Sequence, residues 1–242
     1  MLRYVYLVAT NLFGFLRMIL KMRKLAADPD SSVEERYEYL KHTIDFMQKK
    51  GFTRTEVFGE ENLPKEGGYV MYPNHQGKYD AFGIVWVHKK PCTVVMDKAK
   101  SYALFIKQVI DMLEGKRLDK EDVRQAFGIM MEVAEEVARG KKYIIFPEGQ
   151  YDKDKKHALW NFKAGCFKTS VKSKTPIVPV TLIDSYKAWN SSIFGMVTTQ
   201  VHFLKPIGYE EYKGMKTNEI AALVKARIQE KIDEVINPQP GV

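Results

Sequence analysis

The sequence predicts an α/β fold, in which a single mixed, largely parallel β-sheet is flanked by helices. Short apolar runs rich in β-branched residues recur from residue 52 onward. Stretches with helical periodicity lie between them, and this alternation is typical of a parallel sheet covered by helices. With 242 residues, of which 45% are hydrophobic and 28% charged, the chain can form one large domain with an appendage.

The N-terminal segment is strongly apolar, and its charges within residues 1–22 are Arg3, Arg17 and Lys21. Its uncharged stretch, residues 4–16, is shorter than the roughly 20 residues that a spanning helix needs. A signal peptide is a second interpretation, but cations follow the run at once and no A-x-A-like cleavage site ends it. We expect a helix in the membrane surface with its cations at the headgroups, and a buried or weakly spanning helix is the alternative.

A second helix is predicted after the break at residues 28–30. Residues 31–34, Ser-Ser-Val-Glu, have the pattern of a capping box, and apolar residues then recur at helical steps until Gly51. This helix either packs on the main domain or pairs with the first in a membrane-facing hairpin. We divide the chain into a two-helix membrane-associating element, residues 1–51, and an α/β domain, residues 52–242.

Five strands are predicted in the main domain from short apolar runs: 69–72, 93–96, 143–146, 177–182 and 200–204. Helical stretches lie between them at residues 80–88, 102–113, 120–139 and 162–170. A last helix, residues 218–235, carries its apolar residues on one side and should pack on the sheet.

Charge and motif content narrow the classes of function. A net charge of +8 favours an anionic partner, which could be nucleic acid, anionic lipid or a phosphorylated substrate. Cys92 and Cys166 lie far apart without CxxC or zinc-like spacing, so neither a disulfide framework nor a structural metal is expected, and a reducing, intracellular setting fits best. The sequence contains no GxSxG, GxGxxG, GxxxxGK[ST] or HExxH motif, which argues against the corresponding enzyme classes.

One histidine and one aspartate follow the predicted strand at 69–72, and α/β sheets place their sites at strand ends. His75 and Asp80 are five residues apart, so on a continuous helix their side chains would point to different faces. They can meet if Gly77 permits a turn before a helix that begins near Asp80. An aspartate bonded to one imidazole nitrogen leaves the other free to take a proton, although such a pair, judged alone, is more often structural.

Three further short motifs could belong to a functional site, but each is weak evidence when taken alone. Phe-Pro-Glu-Gly at residues 146–149 follows a strand, and Glu148 could contact a substrate hydroxyl or a cation, or cap a turn. Residues 116–120 read as a cationic turn after a helix, or as a solvated charge run. Proline within the strand Val-Pro-Val, residues 178–180, indicates an edge, a bulge or a special wall.

Together, and in this order, the blocks resemble the glycerolipid acyltransferases of PlsC type, the 1-acylglycerol-3-phosphate acyltransferases. The resemblance covers roughly residues 63–207, and it consists of N-H-x4-D at 74–80, L-D-K at 118–120, F-P-E-G at 146–149 and V-P-V at 178–180. It implies the glycerolipid acyltransferase fold. The N-terminal hairpin is likewise similar to the two-helix membrane element of some bacterial members.

The resemblance implies transfer of a fatty acyl group from acyl-CoA or acyl carrier protein to the sn-2 hydroxyl of lysophosphatidic acid, giving phosphatidic acid. His75 would be the general base, worth about 10²–10⁴-fold, and Asp80 would orient it. Lys98 or N–H groups near Gly77 would stabilise the oxyanion. No metal or other cofactor is required, and no nucleic acid is expected as a partner. The net positive charge would instead serve the substrate phosphates and an anionic membrane surface. The protein would be peripheral or monotopic on the cytoplasmic face of that membrane.

Two departures from the family pattern leave the acceptor open. Gln150-Tyr151 stands where the family has Thr-Arg, whose arginine is expected to grip the acceptor phosphate, and Asp119-Lys120 replaces Asp-Arg. The cations that could replace the arginine are Arg117, Lys120, Lys153, Lys155 and Lys163. Lys163 is favoured because Phe-Lys-Ala-Gly at 162–165 resembles a family segment, and the predicted substrate-binding set also includes Asn74, Glu148 and Gly149.

The alternatives follow from these departures. The nearest alternative is an acyltransferase of the same family that acts on another lysolipid or on an amine-bearing acceptor. Assays of a panel of acceptors with one acyl donor would distinguish it from the first interpretation. A non-catalytic basic protein that binds membranes or nucleic acid is the alternative of another class, and thiol release from an acyl thioester would exclude it.

Overall fold

A seven-stranded sheet forms the middle of the molecule in the computed structural model, which describes residues 2–152, 154, 156–190 and 195–238. The strands are β1 Thr53–Phe58, β2 Tyr69–Pro73, β3 Thr93–Asp97, β4 Lys116–Leu118, β5 Lys142–Ile144, β6 Ile177–Ile183 and β7 Val197–Phe203. Their order is β1-β7-β6-β2-β5-β3-β4, and neighbouring strands are parallel except β6 and β7. The predicted mixed, largely parallel sheet is confirmed.

Helices cover both faces of the sheet. They are α1 Leu2–Thr10, α2 Leu12–Ala27, α3 Val33–Lys50, α4 Asp80–Val87, α5 Ile106–Met112, α6 Val123–Ala138, α7 Lys168–Ser173, α8 Lys187–Asn190, α9 Tyr209–Tyr212 and α10 Thr217–Ile236. Successive strand residues point to opposite faces. Met71 of β2 therefore packs with helices α1–α5 on one face, whereas Val70 and Tyr72 pack with α6 and α10 on the other.

The five predicted strands are present, with ends that differ by up to three residues, but β1 and β4 were not predicted. Residues 116–118 are an edge strand paired with β3 rather than the expected cationic turn, because main-chain pairing with Val95–Asp97 outweighs their polar side chains. The helix expected from residue 102 begins only at Ile106, since Phe105 has a φ of +73° that a helix cannot contain. The helix expected from residue 120 begins at Val123, where the Asp122 carboxylate caps two N–H groups.

The predicted first helix is interrupted at Asn11 and forms α1 and α2. Arg3 is buried, and its guanidinium donates hydrogen bonds to the carbonyls of Gly51, Phe52 and Gly195. The expectation that Arg3 lies at lipid headgroups is therefore wrong, because these carbonyls satisfy the cation inside the fold. The cap of α3 is Ser32, one residue later than the start of the predicted box.

Helix α2 has one buried side and one exposed apolar side. Phe15, Met22 and Leu25 are buried, whereas the opposite side exposes Leu12, Phe13, Leu16 and Leu20. Exposed cations adjoin these residues at Arg17, Lys21, Arg23 and Lys24. Among the described residues, none of the helices is both long enough and apolar enough to cross a bilayer.

Candidate active site

The loop between β2 and α4 brings His75 and Asp80 into contact. Nδ1 of His75 lies 2.7 Å from Oδ2 of Asp80, and the same oxygen accepts hydrogen bonds from the N–H groups of Gln76 and Gly77 at 2.6 and 2.9 Å. The predicted turn at Gly77 is thus present, and Asp80 closes it as the first residue of α4. Because the carboxylate binds Nδ1, Nε2 of the neutral ring is the nitrogen left to accept a proton.

Asp80 is fully buried, and a serine binds its other oxygen. The hydroxyl of Ser185, two residues beyond β6, donates to Oδ1 at 2.5 Å. Two aromatic rings flank His75, with centroids at 4.2 Å for Phe146 and 4.7 Å for Tyr151. The sequence did not single out Ser185, although a polar residue at the end of an apolar strand was an available signal.

Glu148 braces the loop that carries His75. One carboxylate oxygen accepts from the main-chain N–H of His75 at 2.7 Å, and the other accepts from the N–H of Trp160 at 2.8 Å. Burial raises the pKa of Glu148 above its ordinary value, although both hydrogen bonds act in the opposite direction. Both oxygens already serve the main chain, and the expected contact of Glu148 with substrate stays a prediction.

Asn74 fastens the end of β2 to β6. Its side-chain amide donates to the carbonyl of Leu182 at 3.1 Å and accepts from the Leu182 N–H at 2.7 Å. Asn74 is buried, and these bonds continue the link between the two strands beyond the last residue pair, Pro73 and Val180. Its expected contact with substrate likewise stays a prediction.

An apolar cavity of about 210 Å³ opens beside His75. Its walls come from β3 and from helices α3, α4 and α5, and include Leu40, Ile44, Phe82, Val85, Val109 and Ile110. An engineered apolar cavity of about 150 Å³ is known to stay dry and hold benzene, so this cavity has room for an alkyl segment.

Three lysines at the rim of this cavity, Lys100, Lys120 and Lys163, form what we term the lysine rim. Lys120 donates to the carbonyl of Gly149 at 2.6 Å and pairs with Asp97 at 2.9 Å. Gly149 has a φ of +67°, and a Cβ there would lie 3.0 Å from Nζ of Lys163. Glycine at this position therefore lets the main chain turn and lets Lys163 lie against it.

The remaining predicted cations lie elsewhere. Lys98 contacts Asp119 at 3.4 Å and lines a neighbouring polar pocket, and Arg117 binds Asp111 at 2.6 Å. The N–H groups of Gln76 and Gly77 donate to Asp80, and the expected oxyanion contact of other N–H groups near Gly77 stays a prediction. Lys153 and Lys155 lie outside the described residues. Within the described part of the chain, no group of three or more His, Cys, Asp or Glu side chains could hold a metal ion.

A family model described as Acyltransferase matches residues 54–183, which is more than half of the chain. The matched segment contains the His75–Asp80 loop, the brace at Glu148 and strand β6, and it ends two residues before Ser185. The chain belongs to this acyltransferase family.

Relatives that are similar in sequence to this acyltransferase are named 1-acyl-sn-glycerol-3-phosphate acyltransferases. The chain is 28% identical over 183 residues to the 1-acyl-sn-glycerol-3-phosphate acyltransferase of Saccharomyces cerevisiae. The aligned segment covers 74% of this chain and 60% of the yeast protein. The chain is 24% identical over 170 residues to the Salmonella typhimurium protein of the same name, with coverages of 70% and 69%. The chain thus spans less than two thirds of the length of the yeast relative.

The fold is shared with a solved structure. The crystal structure of the 1-acyl-sn-glycerophosphate acyltransferase PlsC from Thermotoga maritima superposes with a TM-score of 0.76 at 19% identity. The match covers 99% of this chain and 97% of that chain, so it includes the N-terminal helices as well as the sheet. The predicted PlsC-like fold is confirmed.

Proposed function

We propose that this acyltransferase moves a fatty acyl group from acyl-CoA or acyl carrier protein to the sn-2 hydroxyl of lysophosphatidic acid, giving phosphatidic acid. The observation that carries the proposal is the His75–Asp80 pair, at 2.7 Å, beside an apolar cavity. The names of the yeast and Salmonella relatives support the acceptor.

In the proposed reaction, Nε2 of His75 takes the proton of the acceptor hydroxyl as its oxygen attacks the thioester carbon. The tetrahedral intermediate then collapses, the carbon–sulfur bond breaks, and the thiolate takes the proton from the imidazolium. Asp80 orients the ring and stabilises its charged form. The apolar cavity holds the acyl chain, since most of its lining side chains are hydrocarbon.

The lysine rim is the proposed site of the acceptor phosphate. Tyr151 occupies the position of the family arginine and packs its ring against His75, so this position forms a wall of the site rather than a phosphate contact. Lys163 and Lys100 line the same cavity and can supply the charge as point cations. The roles of Lys98 as a donor to the oxyanion and of Arg117 as a contact of the acceptor phosphate stay predictions.

The replacement of that arginine by Tyr151 also favours a second candidate function, in which the acceptor is another lysolipid or an amine-bearing molecule. A panel of acceptors with one acyl-CoA distinguishes the two.

We propose that residues 1–51 bring the site to the cytoplasmic face of the cell membrane. The exposed apolar side of α2 and its adjoining cations suit an anionic lipid surface. The protein would then take its acceptor from the leaflet on which it lies.

The test is the variant His75→Ala, assayed in detergent micelles with lysophosphatidic acid and acyl-CoA for both thiol release and lipid product. We expect a loss of at least about 10²-fold, the lower end of general-base help. His202→Gln is the matched control, because His202 stacks on Phe58 of β1 and lies outside the cavity. Full thiol release by a folded His75→Ala protein would contradict the proposal.

A further inference from the structure

The two oxygens of Asp80 have different kinds of partner. Oδ2 accepts from His75, Gln76 and Gly77, all within five residues of Asp80. Oδ1 accepts from the hydroxyl of Ser185, 105 positions along the chain. The local loop therefore determines where one oxygen lies, and the distant hydroxyl determines how the carboxylate is rotated about its bond to Cβ.

The chain after β6 holds Ser185 against the catalytic loop by its main chain as well. The N–H of Ser185 donates to the side-chain oxygen of Gln76 at 2.9 Å, and Ser185 is only 4% exposed. The preceding residue, Asp184, has a φ of +59°, which turns the chain back and is uncommon without glycine. Its carboxylate is held by Lys187 at 2.7 Å and by His157 at 3.2 Å.

We propose that Ser185 is a positioning residue for acyl transfer, because its hydroxyl keeps the Asp80 carboxylate in the orientation in which Oδ2 meets Nδ1 of His75. The proposal rests on the proposed role of His75 as the general base. A carboxylate free to rotate would let the imidazole change its orientation or tautomer. Catalytic groups lose much of their effect when such supports allow small displacements.

A purely structural role would make a different prediction. Under that role, Oδ2 would keep its three donors in a variant without the Ser185 hydroxyl, and the fold would lose one buried hydrogen bond with no change at His75. A positioning role changes the chemistry as well, because a carboxylate that has turned away from Nδ1 stabilises the imidazolium form of His75 less. The other ionisable groups near this network, Glu148, Tyr151, His157 and Asp184, are the same in every variant.

The experiment compares Ser185→Ala and Ser185→Cys with the unaltered full chain. In Ser185→Ala, kcat/KM for acyl transfer to lysophosphatidic acid should fall about tenfold or more. The acid limb of its pH profile should move to lower pH, because the imidazolium form of His75 is stabilised less. Ser185→Cys should lie between the two, since a thiol is a weak donor. Thr181→Val is the control, because this buried hydroxyl of β6 has no hydrogen-bond partner among the described residues.

Each outcome decides the matter. The positioning role of Ser185 would be overturned if Ser185→Ala kept the wild-type kcat/KM. It would also be overturned if kcat/KM fell without a shift of the acid limb of the pH profile. If Ser185→Ala does not fold, the same two readouts on Ser185→Cys decide. His75→Ala is assayed alongside: full activity there overturns the proposed function itself, whereas loss there without an effect at Ser185 overturns only this inference.

Discussion

The cavity has two polar regions that are built in opposite ways. His75, Asp80 and Glu148 form what we term the polar floor, and both carboxylates in it accept bonds from main-chain N–H groups while lying out of solvent. In the lysine rim, Lys120 pairs with the carboxylate of Asp97, and no described acidic side chain lies within ion-pair distance of Lys100 or Lys163. The floor has its partners inside the protein, whereas Lys100 and Lys163 of the rim keep their charge for a ligand.

This difference separates the tasks of the two regions. Groups that stabilise developing charge act best when they are oriented before the reaction and surrounded by low dielectric. Cations that grip a phosphate gain when their charge is not already used by the protein. Changes in the floor should therefore lower kcat, and changes in the rim should raise KM for the acceptor.

The largest effect is expected from Asp80→Asn. The amide oxygen can take the place of Oδ2, with the NH₂ group toward the Ser185 hydroxyl, but the neutral amide cannot stabilise the imidazolium form of His75 as the carboxylate does. We expect kcat to fall by on the order of 10³-fold or more, as measured at saturating substrate. The control is Asp111→Asn, a salt-bridged carboxylate outside the cavity. A variant that keeps more than a tenth of the wild-type kcat would show that Asp80 does not support His75 in catalysis.

Glu148→Gln tests the brace with an intermediate effect. A glutamine has one acceptor oxygen, so its NH₂ group would oppose the N–H of either His75 or Trp160. We expect a loss of stability of about 1–3 kcal/mol from the unsatisfied buried donor, together with a lower kcat. Thermal unfolding and kcat are measured together, and an unchanged kcat in a destabilised variant would show that the position of His75 does not depend on Glu148.

The floor was more accessible to sequence reasoning than the rim. His75, Asp80 and the turn at Gly77 lie within six residues, so their spacing predicts their contact, and the strand-end rule predicts the place of Glu148. The sequence could not show that Ser185 completes the floor, because its contact with Asp80 joins segments 105 positions apart. The contact of Trp160 with Glu148 was missed because it is made by a main-chain N–H, which leaves no mark in the side-chain pattern. Lys100 was missed because its position depends on the turn before Phe105, which the sequence did not predict. Strand β4 was missed because its three residues pair with β3 only through main-chain bonds at the edge of the sheet.

The smallest effect is expected from Lys163→Ala, and it tests the rim. Removing one point cation should raise the acceptor KM about tenfold, the loss of one charge-assisted contact, with kcat nearly unchanged. The same KM should be less sensitive to salt in the variant than in the wild type, because a screened cation has been removed. Lys172→Ala on α7 is the control, since that lysine is exposed and lies outside the cavity. A fall in kcat with unchanged KM would instead place Lys163 with the floor, acting on the oxyanion of the transition state rather than on the bound phosphate.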